Sequence, residues 1–205
     1  MTRKRGTIRT NAPEAMRARV LDAAADLFQA HGYHDTSVQD VKRLAGVSSG
    51  AFHHHFESKK ALGLAVVHER VAGALRAAWI DPLTKAPTIA QGVHTAMAAI
   101  GGGLREQGFV RGCPVNNLAI ELAFSDSDFR EALQGIFAEW RDSIAQQISA
   151  GPMPQAFEGL APAELASFII AAYSGAMTMA KAEQSSDPLD SAVVVLNHLL
   201  APPRV

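Results

Sequence analysis

Small and hydrogen-bonding side chains share one side of a short helix predicted after the turn at Gly46. At about 100° per residue, Phe52 and Phe56 fall on the other side of this helix, together with Ala51 and His55. The side without an apolar anchor consists of Ser49, Gly50, His53 and His54. Hydroxyl and imidazole groups at this spacing are typical of a helix whose N-terminal half enters the major groove of DNA. A surface helical hairpin is the alternative interpretation.

The residues before this helix predict the elements that hold it. Thr36 lies three residues before Gln39, which is the spacing of a capping box at a helix start. An apolar stripe at helical spacing follows, consisting of Val38, Val41, Leu44 and Ala45. Gly46 supplies the left-handed residue that ends a helix, and Ser48 can cap the next one. The pattern predicts three helices, over about residues 12–31, 37–45 and 48–55.

Two lysines, Lys59 and Lys60, occupy the first turn of a fourth predicted helix that begins at Ser58. The partial positive charge of a helix N-terminus disfavours cations there by about 0.3–1 kcal/mol. A docked phosphate would reverse this penalty, because free backbone N–H groups and ammonium groups would then converge on one anion. Two solvated lysines are the alternative.

The run from Arg17 to Leu62 resembles the DNA-binding domain of the tetracycline-repressor (TetR) family of bacterial regulators nearly position by position. The resemblance implies an all-α homodimer, in which a three-helix helix-turn-helix domain is joined by a connecting helix to a ligand-binding and dimerisation domain. It also implies a ligand-responsive transcriptional regulator, most simply a repressor, that is released from palindromic operator DNA by a small-molecule or electrophilic effector. The DNA-contacting residues that it implies are Thr36, Ser37, Ser48, Ser49, Gly50, His53, His54 and Lys59.

This sequence departs from the family at two of those positions. The family commonly has lysine at the position of Ser49 and tyrosine at the position of His53. Loss of the lysine removes a contact to the DNA backbone or to guanine. His53 can replace the tyrosine hydroxyl as a donor to phosphate. A small-molecule sensor with weakened DNA binding is therefore the alternative function.

Charge is distributed unevenly along the 205 residues, whose net charge is −1. Residues 1–60 hold ten Lys or Arg against six Asp or Glu, whereas residues 61–205 hold nine against fourteen. This asymmetry predicts a basic DNA-binding domain on an acidic body. We expect a basic, disordered tail over residues 1–11, a DNA-binding domain over residues 12–57, and a ligand-binding and dimerisation domain over residues 58–205.

The sequence indicates a cytoplasmic protein. The N-terminal MTRKRGTIR has no apolar core of the kind that a signal peptide requires, and no segment reads as a membrane span. One cysteine excludes an internal disulfide, as is usual in a reducing compartment.

The second domain reads as a series of helices. The fourth helix is expected to run from Ser58 to a break at Asp81-Pro82, and Thr88 can cap the next one. Three consecutive glycines at 101–103 lie within that helix, where they indicate either a hinge or close packing against a neighbour. The last two helices, about residues 162–182 and 188–200, are apolar on more than one face. A second copy of the chain would cover them, as the family resemblance also implies, through Phe168, Ala172, Ala176, Val193, Leu196 and Leu200.

Cys113 lies at a predicted helix N-terminus, just before Pro114. The helix dipole lowers a thiol pKa there, which favours a sensor of oxidants or electrophiles, while a buried apolar thiol is the alternative. Some family members sense electrophiles through a cysteine near this position. The predicted ligand pocket comprises Met97, Cys113, Asn117, Phe137, Trp140, Tyr173 and Met177.

Neither a metal site nor an enzyme is predicted. Five of the eight histidines lie between His31 and His55, but the run from His53 to His55 points around a helix and does not converge on one ion. No histidine stands at recognisable spacing from Cys113 to act as its base. We therefore expect no metal and no cofactor.

Overall fold

The computed structural model describes residues 12–201, which are helices joined by short turns, and these residues include no β-strand. The predicted all-α class is confirmed. The basic tail predicted over residues 1–11 lies outside the described residues, as do residues 202–205. The chain divides into two compact units, with the boundary between Val66 and Val67.

The first unit contains four helices. They are α1 (Ala12–His31), α2 (Val38–Ala45), α3 (Ser49–His55) and α4 (Lys59–Val66). Helix α1 packs against the other three, and its apolar stripe is buried through Val20, Leu21 and Phe28. The boundaries of the first three helices agree with those predicted from the apolar spacing.

The cap of α2 differs from the prediction by one residue. Ser37 accepts a hydrogen bond from the backbone N–H of Asp40 at 3.1 Å, and the Asp40 carboxylate accepts from the N–H of Ser37 at 3.2 Å. The prediction that Thr36 begins the capping box was wrong, because Thr36 is only 3% exposed and its hydroxyl donates to the carbonyl of Gly32 at 2.7 Å. Of two adjacent hydroxyl residues, the one turned toward solvent takes the cap.

The second unit begins with a mixed helical segment. It comprises a π-helical turn (Val67–Val71), α5 (Ala72–Leu75), a second π-helical turn (Arg76–Ile80) and α6 (Asp81–Lys85). The predicted break at Asp81-Pro82 was wrong. A proline inside a helix clashes with the carbonyl four residues earlier, and here the turn before Asp81-Pro82 is π-helical, with the N–H of Asp81 bonded to the carbonyl of Arg76. The helix therefore ends only at Ala86.

Five longer helices complete this unit. They are α7 (Ile89–Gln107), α8 (Pro114–Leu122), α9 (Ser127–Ser149), α10 (Pro162–Glu183) and α11 (Asp187–Leu199). Helix α10 packs between α9 and α11, α7 packs on α11, and α8 packs on α9. Thr88 caps α7 as predicted, and Asp126 caps α9.

The three glycines lie within continuous helix, since α7 runs without interruption through all of them. A Cβ atom at Gly101 would lie 3.2 Å from Oδ1 of Asp190 on α11, whereas none at Gly102 or Gly103 would meet a neighbour within 4 Å. Close packing therefore accounts for Gly101.

Helix α10 is long and apolar enough to span a membrane by length and composition alone, so the expectation that no segment qualifies was wrong. A core helix of a globular protein meets the same criterion. Leu165, Ile169, Tyr173 and Ala180 of α10 are buried inside the unit, which accounts for its apolar composition.

Candidate nucleic-acid interface and effector cavity

The predicted division of α3 into two faces is confirmed. Phe52 is fully buried and Phe56 nearly so, and their rings lie 5.9 Å apart between centroids. Five residues at or near the start of α3 and on its outward face are exposed: Ser48, Ser49, Gly50, His53 and His54. The apolar side anchors the helix, so its polar side is presented to solvent.

The turn that orients α3 has the predicted chemistry. Gly46 has φ of 64°, the left-handed conformation that glycine adopts without strain. Ser48 caps α3 by accepting from the N–H of Ala51 at 3.3 Å. Each end of the turn is thus held by its own hydrogen bonds, which fixes the angle between α2 and α3.

Two of the predicted phosphate contacts lie near the start of α2. Ser37 stands at the exposed cap, where its hydroxyl bonds the Asp40 carboxylate at 2.5 Å. This bond, with the backbone N–H of Ser37, lowers the pKa of Asp40. Thr36 is buried, and a phosphate contact from its hydroxyl would require exchange of the bond to Gly32.

Lys59, the third predicted phosphate contact, bridges to the turn before α2. Its ammonium donates to the carbonyl of His34 at 3.1 Å and lies 4.4 Å from the centroid of the Tyr33 ring. Ser58 caps α4 by accepting from the N–H of Ala61 at 3.0 Å. Lys59 therefore ties the start of α4 to the turn that leads into α2.

A residue that the sequence reasoning did not single out lies directly behind α3. Nζ of Lys42, on α2, donates to Oγ of Ser49 at 2.9 Å, and Lys42 is only 8% exposed. The sequence signal that could have identified it is its position. Lys42 is a charged residue directly after Val41, which belongs to the packed apolar stripe of the short helix α2.

Cys113 is the N-cap residue of α8, as predicted, but its side chain is buried. Burial raises the pKa of the Cys113 thiol, and this effect exceeds that of the backbone N–H groups of Asn116 and Val115, which lower it. The Tyr173 hydroxyl also lowers the pKa of the thiol, but burial has the larger effect. The prediction of a lowered thiol pKa was wrong, because desolvation outweighs the helix terminus here.

Most of the predicted pocket residues belong to the core of the second unit. Trp140 packs against Trp79, Tyr173 and Phe137, with ring centroids 5.0, 5.6 and 6.2 Å away. Five predicted pocket residues are buried: Met97, Cys113, Trp140, Tyr173 and Met177. Asn117 is held in place, since its Nδ2 donates to the carbonyl of Arg111 at 2.8 Å.

A cavity of about 480 Å³, open to solvent on one side, lies among α8, α9 and α10. Of the predicted pocket residues only Phe137 lines it. The full lining is Asn116, Ala119, Ile120, Phe137, Arg141, Ser167, Ile170, Ala171, Ser174, Gly175 and Thr178. Sequence reasoning missed the residues other than Phe137 because the lining comes from three helices whose relative rotation follows only from packing.

The residues predicted for dimerisation divide between the core and the surface of the protomer. Ala176, Leu196 and Leu200 are buried within it, which leaves them little surface for a second copy. Phe168 is 45% exposed, and Ala172 and Val193 are half-buried. Further exposed apolar residues on α10 and α11 are Ala171, Met179, Val194 and Val195.

Folded protein is expected to react slowly with N-ethylmaleimide, because the thiolate is the nucleophile and Cys113 is buried with a raised pKa. We expect modification at least about tenfold slower than in denaturant, as measured by mass spectrometry. Equal rates of modification in folded and unfolded protein would contradict this expectation.

The raised pKa of the Cys113 thiol also makes stability depend on pH. Its contribution to the stability of the folded protein is complete below the unfolded pKa of about 8.5 and is lost as pH rises. Wild type should therefore lose stability relative to Cys113→Ser between pH 8 and pH 10.

Two family models match this chain, one within each of the two units. Residues 20–66 match the family model of bacterial regulatory proteins of the tetR family. Residues 89–194 match that of the C-terminal domain of LmrA/YxaF-like transcriptional regulators.

Among relatives, the HTH-type transcriptional repressor DhaR of Mycobacterium sp. (strain GP1) is 30% identical over 195 residues, which cover 91% of this chain and 93% of DhaR. The transcriptional regulator AcuR of Cereibacter sphaeroides is 32% identical over 194 residues, covering 88% and 84% of the two chains.

Among solved structures, the regulatory protein TetR from Rhodobacter sphaeroides matches with a TM-score of 0.80 at 25% identity, over 91% of this chain and 99% of that one. Reduced NemR of E. coli matches with a TM-score of 0.82 over 93% of this chain and 99% of that one, and at 21% identity it supports the fold alone. The chain therefore belongs to the TetR family of bacterial transcriptional regulators.

Proposed function

We propose that this TetR-family regulator is a cytoplasmic, dimeric repressor that binds a palindromic operator and is released by a small effector bound among α8, α9 and α10. The observation that carries the DNA-binding half is the outward face of α3. It is polar and exposed over a buried aromatic anchor, on a turn that is capped at both ends. Two such helices in a dimer would meet half-sites about one helical turn apart.

The chemistry of the cavity indicates the kind of effector. Its lining is mostly apolar, and no acidic residue is among the described residues that form it. Arg141 contributes a guanidinium that has no carboxylate partner within residues 13–201. Nδ2 of Asn116 is also without a partner there. An apolar molecule with an anionic group would bury its carbon skeleton and bond these two donors.

The position of the cavity supports coupling between effector and operator. Ala171 and Gly175 of α10 line the cavity and also lie on the exposed side of α10, close to Phe168 and Met179. A dimer formed through α10 and α11 would place this surface next to the second copy. An effector that binds more tightly to one dimer arrangement shifts the population toward it, and an arrangement with misplaced α3 helices releases DNA.

Operator selection followed by ligand release tests the proposal. Duplexes that bind the wild-type protein are recovered from a genomic library, and their affinity is measured against salt by fluorescence anisotropy. We expect affinity to fall steeply with salt, and apolar organic acids to be among the compounds that release the duplex. Arg141→Met should abolish that release, whereas Arg130→Met on the same helix should not. Failure to select any duplex would refute the DNA-binding half, and release that is insensitive to Arg141→Met would refute the effector site.

A further inference from the structure

Lys42 is a buried cation without an anion. Thr36 and Lys42 are the buried polar residues among those described, and Lys42 alone of the two carries a charge. Buried lysines are normally paired with a carboxylate, because an unpaired charge is costly to remove from water. Here the partner is the hydroxyl of Ser49, at 2.9 Å, and residues 13–201 supply Lys42 with no ion pair.

The location of the ammonium is informative. Lys42 extends from α2, beside the buried Val41, and its Nζ reaches the first residue of α3. Ser49 itself is exposed on the outward face of α3. The Lys42 side chain is therefore largely buried, while its ammonium meets a hydroxyl group whose own residue is exposed to solvent.

Ser49 is also the position at which the family resemblance described above implies a lysine. A lysine there brings its charge to DNA from α3 itself. In this chain the charge at the same place comes from α2, and Ser49 serves as its hydrogen-bond acceptor. Lys42 therefore supplies the positive charge that is missing because position 49 is a serine.

An ammonium group has three N–H donors, and the Ser49 hydroxyl accepts one of them. A DNA phosphate oxygen or a guanine acceptor beside Ser49 would accept another and would neutralise the buried charge. Folding has already removed water from Lys42, so DNA binding would desolvate it less than it would desolvate an exposed lysine. This smaller desolvation cost would favour binding.

We propose that Lys42 is a DNA-contacting residue of this regulator, and that Ser49 positions its ammonium for the contact. The inference rests on DNA binding through α3 and adds a residue outside the set implied by the family. It also predicts that the loss of lysine at position 49 does not weaken DNA binding.

The test compares Lys42→Met, which keeps the length of the side chain and removes its charge, with Lys85→Met in the second unit. The probes are a duplex selected by the wild-type protein from a random-sequence library and a shuffled duplex of equal length. We expect Lys42→Met to bind the selected duplex about 10- to 100-fold more weakly. Its slope of log affinity against log salt should be shallower by about two per dimer, one for each subunit. Lys85→Met should match wild type.

The double variant Lys42→Met/Ser49→Lys distinguishes a DNA contact from a structural role. Returning the charge from α3 should recover most of the affinity and the salt slope. Thermal unfolding confirms that the variants are folded, and Lys42→Gln replaces the methionine variant if that one is not. Equal weakening on both duplexes identifies a phosphate contact, and weakening on the selected duplex alone identifies a base contact.

Two outcomes would overturn the inference. One is a Lys42→Met protein with the affinity and salt slope of wild type. The other is weaker binding with an unchanged slope that Ser49→Lys does not rescue, since that result makes Lys42 a packing residue. A wild-type protein that selects no duplex would instead refute the proposed function.

Discussion

Val194→Glu is expected to convert the dimer into a monomer and to weaken operator binding about 10²- to 10⁴-fold, because two linked DNA-binding domains bind far more tightly than one. Val194 is 69% exposed on α11 and is already free of the protomer core. A carboxylate there leaves the folded protomer intact but cannot be buried against a second apolar surface without a large desolvation cost.

Phe124→Glu is the matched control. Phe124 is 99% exposed, but it lies after α8 and outside α10 and α11. The same kind of substitution at that position should leave both the dimer and the operator affinity unchanged. Analytical ultracentrifugation measures the mass of each variant, and fluorescence anisotropy measures its affinity. A Val194→Glu protein that remains dimeric would place the interface elsewhere.

Trp140→Ala is expected to lower the free energy of unfolding by about 3–5 kcal/mol, the usual cost of removing a fully buried indole. Trp140, on α9, has no exposed surface, and its ring contacts the rings of Trp79 and Tyr173. The cavity left by the substitution would lie between packed helices, which can close only in part.

Trp140→Phe separates volume from polarity. Nε1 of Trp140 has no hydrogen-bond partner among the described residues, so phenylalanine loses no hydrogen bond and costs less than alanine. Denaturant titrations followed by circular dichroism, at one protein concentration, measure both variants. A loss below about 1 kcal/mol for Trp140→Ala would show that the aromatic cluster does not hold the second unit together.

The DNA-binding unit was largely predictable, because its signals are local. A glycine in the left-handed conformation, a serine cap and two phenylalanines four residues apart act within one or two helical turns of their own position. The single error there, Thr36 in place of Ser37 as the cap, arose from two adjacent hydroxyl groups. Which of them faces solvent depends on how α1 and α2 pack.

The second unit was less predictable, since its features depend on residues far apart in the chain. Cys113 is at a helix start as its sequence indicates, yet the sign of its pKa shift follows from burial beside Tyr173, sixty residues later in the chain. The cavity likewise combines residues of three helices, and only Phe137 was among those predicted.

The sequence by itself determined the all-α class, the helix-turn-helix, its outward polar face and the family, because each rests on short-range spacing and caps. Only the tertiary structure decided which apolar residues of α10 and α11 remain exposed, which residues line the cavity, and that Lys42 reaches Ser49. The physical reason is that burial and side-chain pairing between helices depend on how each helix is rotated against its neighbours, and periodicity along one helix does not contain that rotation.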